Sequence, residues 1–140
     1  MTRPQLTGIL LVLFSFIGMV DSAYVALKSL DQTVVPCTVT RGCEEVLNSP
    51  YARIGGLSIA WGGLLYYMAT AAGGVFSLFG FRSVLRLTGA AAVLAFLFTL
   101  YLFYLQAFVI RAFCDYCLLS ATMVLGVLIT HLAARPFRCA

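Results

Sequence analysis

Four apolar runs, each long enough to cross a lipid bilayer, take up most of this chain. They extend from Leu6 to Leu27, from Ile59 to Phe79, from Leu87 to Ile110 and from Leu118 to Ala134, and a spanning helix needs roughly 20 residues. A bilayer core offers no water to backbone N–H and C=O groups, so only helices and closed barrels can traverse it. The runs are rich in Leu, Phe and Ala and lack the apolar–polar alternation of barrel strands, which predicts helices. Composition agrees: 62% of residues are hydrophobic and 10% charged, against roughly 45–50% apolar in soluble domains. The predicted fold class is an all-α integral membrane protein, a four-transmembrane-helix bundle with a long outer loop over its functional end. With 140 residues there is room for one domain. The predicted domain spans 1–140, with helices at about 6–27, 59–79, 87–110 and 115–134 and the loop at about 31–57.

The formal charge of +4 comes from scattered basic residues with no patch or aromatic interleaving, which argues against nucleic acid as a partner. Topology explains the pattern better. Arg3, Arg82, Arg86, Arg135 and Arg138 flank the runs on one side. Lys28, Arg41, Arg53 and Arg111 lie on the other, together with the acids Asp21, Asp31, Glu44, Glu45 and Asp115. The positive-inside rule then places both termini and the Phe81–Leu85 connection in the cytoplasm. The loop and the Arg111–Cys114 corner face outward. A cleavable signal is the rival reading of residues 1–23, but Asp21 stands where a cut after Ala23 wants a small residue. The first run is therefore expected to be a retained helix.

Four of the five cysteines fall in two pairs, both on the predicted outer side. Cys114 and Cys117 form a C-x-x-C at the start of the fourth helix, where residues three apart share a face. The open N–H groups and positive dipole end of a first helical turn stabilise a thiolate. Arg111 is expected to support that field and Asp115 to oppose it. The alternatives are an inert structural pair or half of a zinc site. Zinc needs two more ligands, and the lone histidine, His131, lies about four turns away, so no metal is expected. Cys37 and Cys43 sit in the polar loop, where they can be a structural staple or a dithiol that passes electrons on by mixed disulfide. Cys139 has no evident partner. Within the loop, Pro36 biases Val35 to extended backbone and Gly42 allows a tight reversal. Glu44–Leu47 reads as a short helix ended by Asn48-Ser49-Pro50, and Gly55-Gly56 let the chain bend back toward the bilayer.

These motifs resemble the bacterial homologues of vitamin K epoxide reductase. The likeness lies in Cys37-x5-Cys43 followed by Glu-Glu-Val-Leu-Asn-Ser-Pro-Tyr, and in Gly55-Gly56-Leu57-Ser58. It continues in Leu105-Gln-Ala-Phe108 leading to Cys114-Asp-Tyr-Cys117 and Ser120. The order is right over nearly the whole chain, with no thioredoxin-like domain appended. The resemblance implies a quinone-dependent thiol-disulfide oxidoreductase of the bacterial inner membrane. Its partner would be a DsbA-like thioredoxin-fold protein, and its electron acceptor ubiquinone, menaquinone or a vitamin K-type quinone. Electrons would enter at Cys37, pass through Cys43 to Cys114, and reach the quinone from Cys117. The DsbB type also has four helices and two cysteine pairs, but there the C-x-x-C precedes the second helix. A small non-enzymatic membrane subunit with a stapled loop is the remaining alternative.

Two positions depart from the animal enzymes. Their quinone-binding tyrosine four residues after the last cysteine is replaced by Ala121, and their asparagine near the start of the second helix corresponds to Ser58. Simple quinone reduction is thus expected over epoxide reduction, with Ser58 as a candidate hydrogen-bond donor. Asp21, an ionisable group in the outer third of the first helix, is suspect as functional because it is costly there. It is a candidate proton relay or a supporting group. Of the aromatics Trp61, Tyr66, Tyr67, Phe98, Tyr101, Phe103 and Tyr104, only Trp61 is assigned to a quinone pocket, and lipid-facing or interfacial packing is expected to explain most of them. Gln106 is expected to act as interhelical glue.

Overall fold

A computed structural model describes residues 3–31, 36–37 and 42–134. Arg41, Arg135, Arg138 and Cys139, and the approach through Val35, lie outside the described residues. The elements in order are α1 (Arg3–Asp31), α2 (Cys43–Leu47), a 3-10 turn (Pro50–Ala52), β1 (Arg53–Ile54) and β2 (Leu57–Ser58). Then follow α3 (Ile59–Leu78), α4 (Arg82–Tyr104), a π-helical turn (Leu105–Ile110) and α5 (Asp115–Ala134). The four long helices, α4 counted with its π turn, are each long and apolar enough to cross a membrane. The protein is the expected all-α, multi-pass bundle.

Helix ends differ from the hydropathy limits in a consistent way. α1 continues four residues past Leu27 to Asp31, and α4 begins at Arg82 rather than Leu87. Hydropathy marks where hydrocarbon begins, whereas the helical hydrogen-bond ladder continues through the interface until a residue breaks it. Gly80, with φ +95°, is that break before α4. The short loop helix forms as α2, one residue longer at its start. Gly55 and Gly56 do more than bend the chain. Both take positive φ, +60° and +87°, and close a two-residue hairpin in which Arg53 pairs with Ser58 and Ile54 with Leu57. Asn-Gly or Gly-Gly turns of this handedness suit the right-handed twist of paired strands.

α1 is the central element, lying against α3 along its length and against α5. Large apolar side chains point outward: Phe79 is 76% exposed, Leu87 73% and Leu94 69%. In water such a surface would drive aggregation, but in lipid it is the natural solvent-facing surface. The interior is correspondingly thin. Leu11, Ala92 and Val127 meet where α1, α4 and α5 converge, and Tyr67, Met123 and Val124 join α3 to α5. Tyr67 is completely buried because α1 has no side chain opposite it. A Cβ on Gly18 would run into the Tyr67 ring. Gly18→Val is expected to dislodge that ring and cost about 1–3 kcal/mol of stability. An unchanged thermal midpoint for the detergent-solubilised variant would contradict this account of the packing.

Candidate functional site

The site begins at the corner between α4 and α5. The π turn of Leu105–Ile110 widens the end of α4, a device common at functional positions. Arg111 then adopts left-handed backbone, φ 57° and ψ 35°, a conformation costing a non-glycine residue roughly 1 kcal/mol. Two hydrogen bonds hold it there. Ala112 N–H donates to the Gln106 carbonyl at 3.1 Å, and Cys114 N–H donates to the Gln106 side-chain Oε1 at 3.1 Å. Gln106 is therefore more than glue between helices: it satisfies a buried N–H that would otherwise cost about 1–3 kcal/mol. Nothing in the sequence beyond a polar residue in an apolar run marked it for this role.

Cys114 caps α5, its carbonyl accepting the Leu118 N–H at 3.0 Å, and Cys117 lies one turn on. Both are free thiols, and Cys114 is fully buried. The hydrogen bond from the Cys117 side chain holds the Cys114 thiol below its ordinary range. The backbone N–H groups of Cys117 and Tyr116 act in the same sense, while burial and Asp21 oppose them. The expected helix-end effect is present, but the opposing charge is Asp21 rather than the adjacent Asp115. Arg111 is exposed.

The loop pair is joined as a disulfide, Cys37–Cys43, with Cα atoms 5.8 Å apart. Cys43, Val46, Ala112 and Cys114 form one buried cluster, with Cys37 and Cys117 packed against it. Gly42 makes that approach possible. A Cβ there would come within 2.7 Å of the Phe113 carbonyl and 2.8 Å of the Ala112 Cβ, so this glycine is needed for closeness rather than for a reversal. Cys37 Sγ, Cys43 Sγ and a carboxylate oxygen of Asp115 lie within 4.8 Å of one another. Two sulfurs bonded to each other are not thiolate ligands, so this set is not a metal site in the disulfide state.

Below the cysteines lies a mostly apolar cavity of about 730 Å³, within the range of small-molecule sites. Asp21, Ser58, Trp61, Cys117 and Ala121 all line it, and so do Tyr66, Tyr67, Phe98 and Phe103. Phe98 and Phe103, 45% and 46% exposed, also face outward as Tyr101 and Tyr104 do, so among these aromatics Tyr66 and Tyr67 are the ones that depart from outward packing. Tyr67 was hidden because its burial depends on Gly18, which lies far away in sequence. Its hydroxyl donates to the Ser120 carbonyl at 2.9 Å and lies 2.7 Å from Ser120 Oγ. Ser58 has a structural duty as well, since its Oγ accepts the Ala60 N–H at 3.3 Å and caps α3. Asp21 is 8% exposed, and its Oδ1 has no hydrogen-bond partner among the described residues. A buried carboxyl oxygen left open on a cavity wall suits a ligand with a polar edge. His131, in the last turn of α5, is also buried.

The bundle gathers a disulfide and a dithiol in one cluster at the outer end, with Cys117 also lining an apolar cavity, an arrangement suited to redox chemistry at a membrane. The sequence profile of the Vitamin K epoxide reductase family matches residues 9–132. The chain belongs to that family, and its chemistry is the disulfide and quinone redox chemistry of the family.

Cys117→Ala removes the donor that holds Cys114 down, so the apparent pKa of Cys114 is expected to rise. With a depressed folded pKa, this group stabilises the fold above that pKa, and the contribution is lost as pH falls through it. The thiolate absorbance of Cys114 in a background lacking the loop cysteines reads the shift, and an identical titration in both proteins would refute it.

Proposed function

We propose that the protein is a quinone-dependent thiol-disulfide oxidoreductase. It reoxidises a DsbA-like thioredoxin-fold protein on the outer face of the bacterial plasma membrane and passes the electrons to a membrane quinone. The termini lie in the cytoplasm, and the net product is new disulfides in exported proteins. The observation that carries this reading is that both cysteine pairs gather in one cluster, Cys43 and Cys114 in its buried core with Cys37 and Cys117 packed against it, and that Cys117 also lines the cavity.

The cycle balances in thiol exchanges alone. A partner thiolate attacks Cys37 Sγ, breaking the Cys37–Cys43 bond and releasing Cys43 as a thiolate. Cys43 attacks Cys114 of the oxidised inner pair, and Cys117 leaves as a thiolate. The partner's second thiol displaces Cys37 and departs as a disulfide. Cys37 then attacks Cys43, restoring the loop disulfide and releasing Cys114. A thiol held below its ordinary range is the better leaving group in that last step. That step leaves the loop pair oxidised and the inner pair reduced.

A quinone seated beside Cys117 accepts two electrons and two protons as the inner pair returns to a disulfide. Trp61 and Ala121 shape the apolar walls for a flat ring, and the Ser58 hydroxyl can donate to a ring oxygen. The Asp21 carboxyl, with its open Oδ1, supplies a proton from the wall of α1. Ala121 carries no phenol to assist ring opening of an epoxide, so a plain quinone is the favoured substrate over vitamin K epoxide.

Purified protein, a reduced DsbA-like partner and quinone absorbance provide the test. Cys117→Ala is expected to drop turnover to background, and transfer that survives it would end the enzyme reading. Cys37→Ala is expected to lose turnover with the protein partner while a small dithiol still supports it. Equal loss with both donors would count against the relay. Asp21→Asn is expected to slow quinone-linked turnover by about 10²-fold, in the range of general acid–base contributions. Partner-driven reduction of the loop disulfide in the same variant should be unaffected, and a normal quinone rate would remove Asp21 from the proton path.

A further inference from the structure

Ser120 follows Cys117 by three residues on α5, about 4.5 Å along the axis at 1.5 Å per residue, and residues so spaced share a helix face. Both line the cavity, as does Ala121. Ser120 is half-buried, so part of its surface is left uncovered by the neighbouring helices. Tyr67 of α3 stands beside it. α3 and α5 both start at the cysteine end, and helical side chains lean back toward the helix start, which brings the Tyr67 hydroxyl up to Ser120. The ring is fully buried against Gly18. A fixed phenol therefore meets a serine hydroxyl on the wall of the cavity.

The protons of this pair have two arrangements. The Tyr67 hydroxyl carries one proton and faces two acceptors, the Ser120 carbonyl at 2.9 Å and Ser120 Oγ at 2.7 Å. When the phenol donates to the carbonyl, Ser120 Oγ–H donates back to the phenol oxygen, and neither proton is left for a ligand. When the phenol donates to Ser120 Oγ, the serine proton is released to turn into the cavity. The two states differ by rotation about two C–O bonds, with no heavy atom displaced. An acceptor oxygen arriving in the cavity favours the second state, because only there does this pair offer it a donor. The phenol then donates to the serine and the serine to the ligand, and each bond in such a chain strengthens the next.

We propose that Ser120, oriented and polarised by Tyr67, is a second hydrogen-bond donor of the quinone site. The proposal rests on the quinone reading above. A para-quinone carries two carbonyl oxygens on opposite edges of its ring, and the Ser58 hydroxyl at the start of α3 serves one of them. Ala121 has nothing to offer the other, whereas Ser120, the residue before it, presents a donor one turn below Cys117. Tyr67 is the positioning residue of the pair, since it touches the serine and holds it in the donating state. Ser120 keeps its own proton: it holds and polarises the ring oxygen and supplies no proton to it.

Infrared difference spectra with a short-chain ubiquinone or menaquinone, isotope-labelled at one carbonyl at a time, read the two oxygens separately. A hydrogen-bonded carbonyl vibrates at lower frequency than one in an apolar setting. In the wild-type protein both bands are expected below their positions in an apolar solvent. In Ser120→Ala one band is expected to return to the apolar position while the other stays. Binding of the same quinone should weaken about three- to tenfold, as loss of one neutral hydrogen bond allows. Tyr67→Phe, which keeps the ring, should move the same band part of the way. The bands come only from bound quinone, so a partly unfolded variant loses intensity without changing position. Unchanged positions of both bands in Ser120→Ala overturn the assignment, and a Tyr67→Phe spectrum identical to wild type removes the tyrosine from it. The shift with either quinone supports the proposal, and the tighter-binding one names the ring class. Wild-type protein that binds neither refutes the quinone reading, and the Ser120 assignment falls with it.

Discussion

One buried backbone N–H, that of Cys114, organises the outer end of this bundle. Two apolar helices that must reverse direction at a membrane surface leave unpaired donors and acceptors at the turn. Each such group, left in a dry setting, costs on the order of 1–3 kcal/mol. Gln106 resolves this from within α4 by turning its side-chain oxygen onto the Cys114 N–H, and the π turn around it opens the helix enough to do so. The strained Arg111 backbone is held between these bonds. Because the corner is rigid, α5 starts at a defined point and the Cys114 sulfur sits in its first turn. Gly42 can then bring Cys43 against it without a side chain in the way.

From that corner the sulfurs are graded by environment. Cys37 is half-buried at the aqueous edge, Cys43 and Cys114 are sealed from solvent, and Cys117 opens on an apolar cavity. A protein with little interior thus gathers both pairs into one small cluster at its outer end. The same economy explains the thin core. α1, α3 and α5 pack closely through glycines and one buried tyrosine, while most large side chains face lipid. A mostly apolar cavity remains between α1, α3, α4 and α5.

The spanning helices and the pairing of cysteines by region were legible from residue order. Ser58, Trp61 and Ala121, expected near a quinone, line the cavity, and the loop helix after Cys43 was legible too. Gln106 and Tyr67 were not. Gln106 does join the end of α4 to the start of α5, but its backbone target could not be read from one segment, and Tyr67 is held inside where outward packing is usual. Tyr67 is buried because Gly18 leaves room for it and Ser120 accepts its hydroxyl, 53 positions away. Gly42 was read as a turn residue because glycine usually is, yet the contact that demands it comes from Ala112 and Phe113. The hairpin at Gly55-Gly56 lay close to the surface of the sequence, but its register needed the strands on either side.

The sequence by itself determined that this chain is a bundle of membrane helices with its reactive sulfurs at one end. That follows because the bilayer's demand for internal hydrogen bonding acts on each segment locally, and hydropathy records it. Only the tertiary structure decided that the two cysteine pairs share one cluster and which side chains line the cavity. It also set the hydrogen bond from the Tyr116 hydroxyl to the Pro36 carbonyl, which joins residues 80 positions apart. Contacts of that kind arise from the fit of several helices at once, and no periodicity along one segment encodes them.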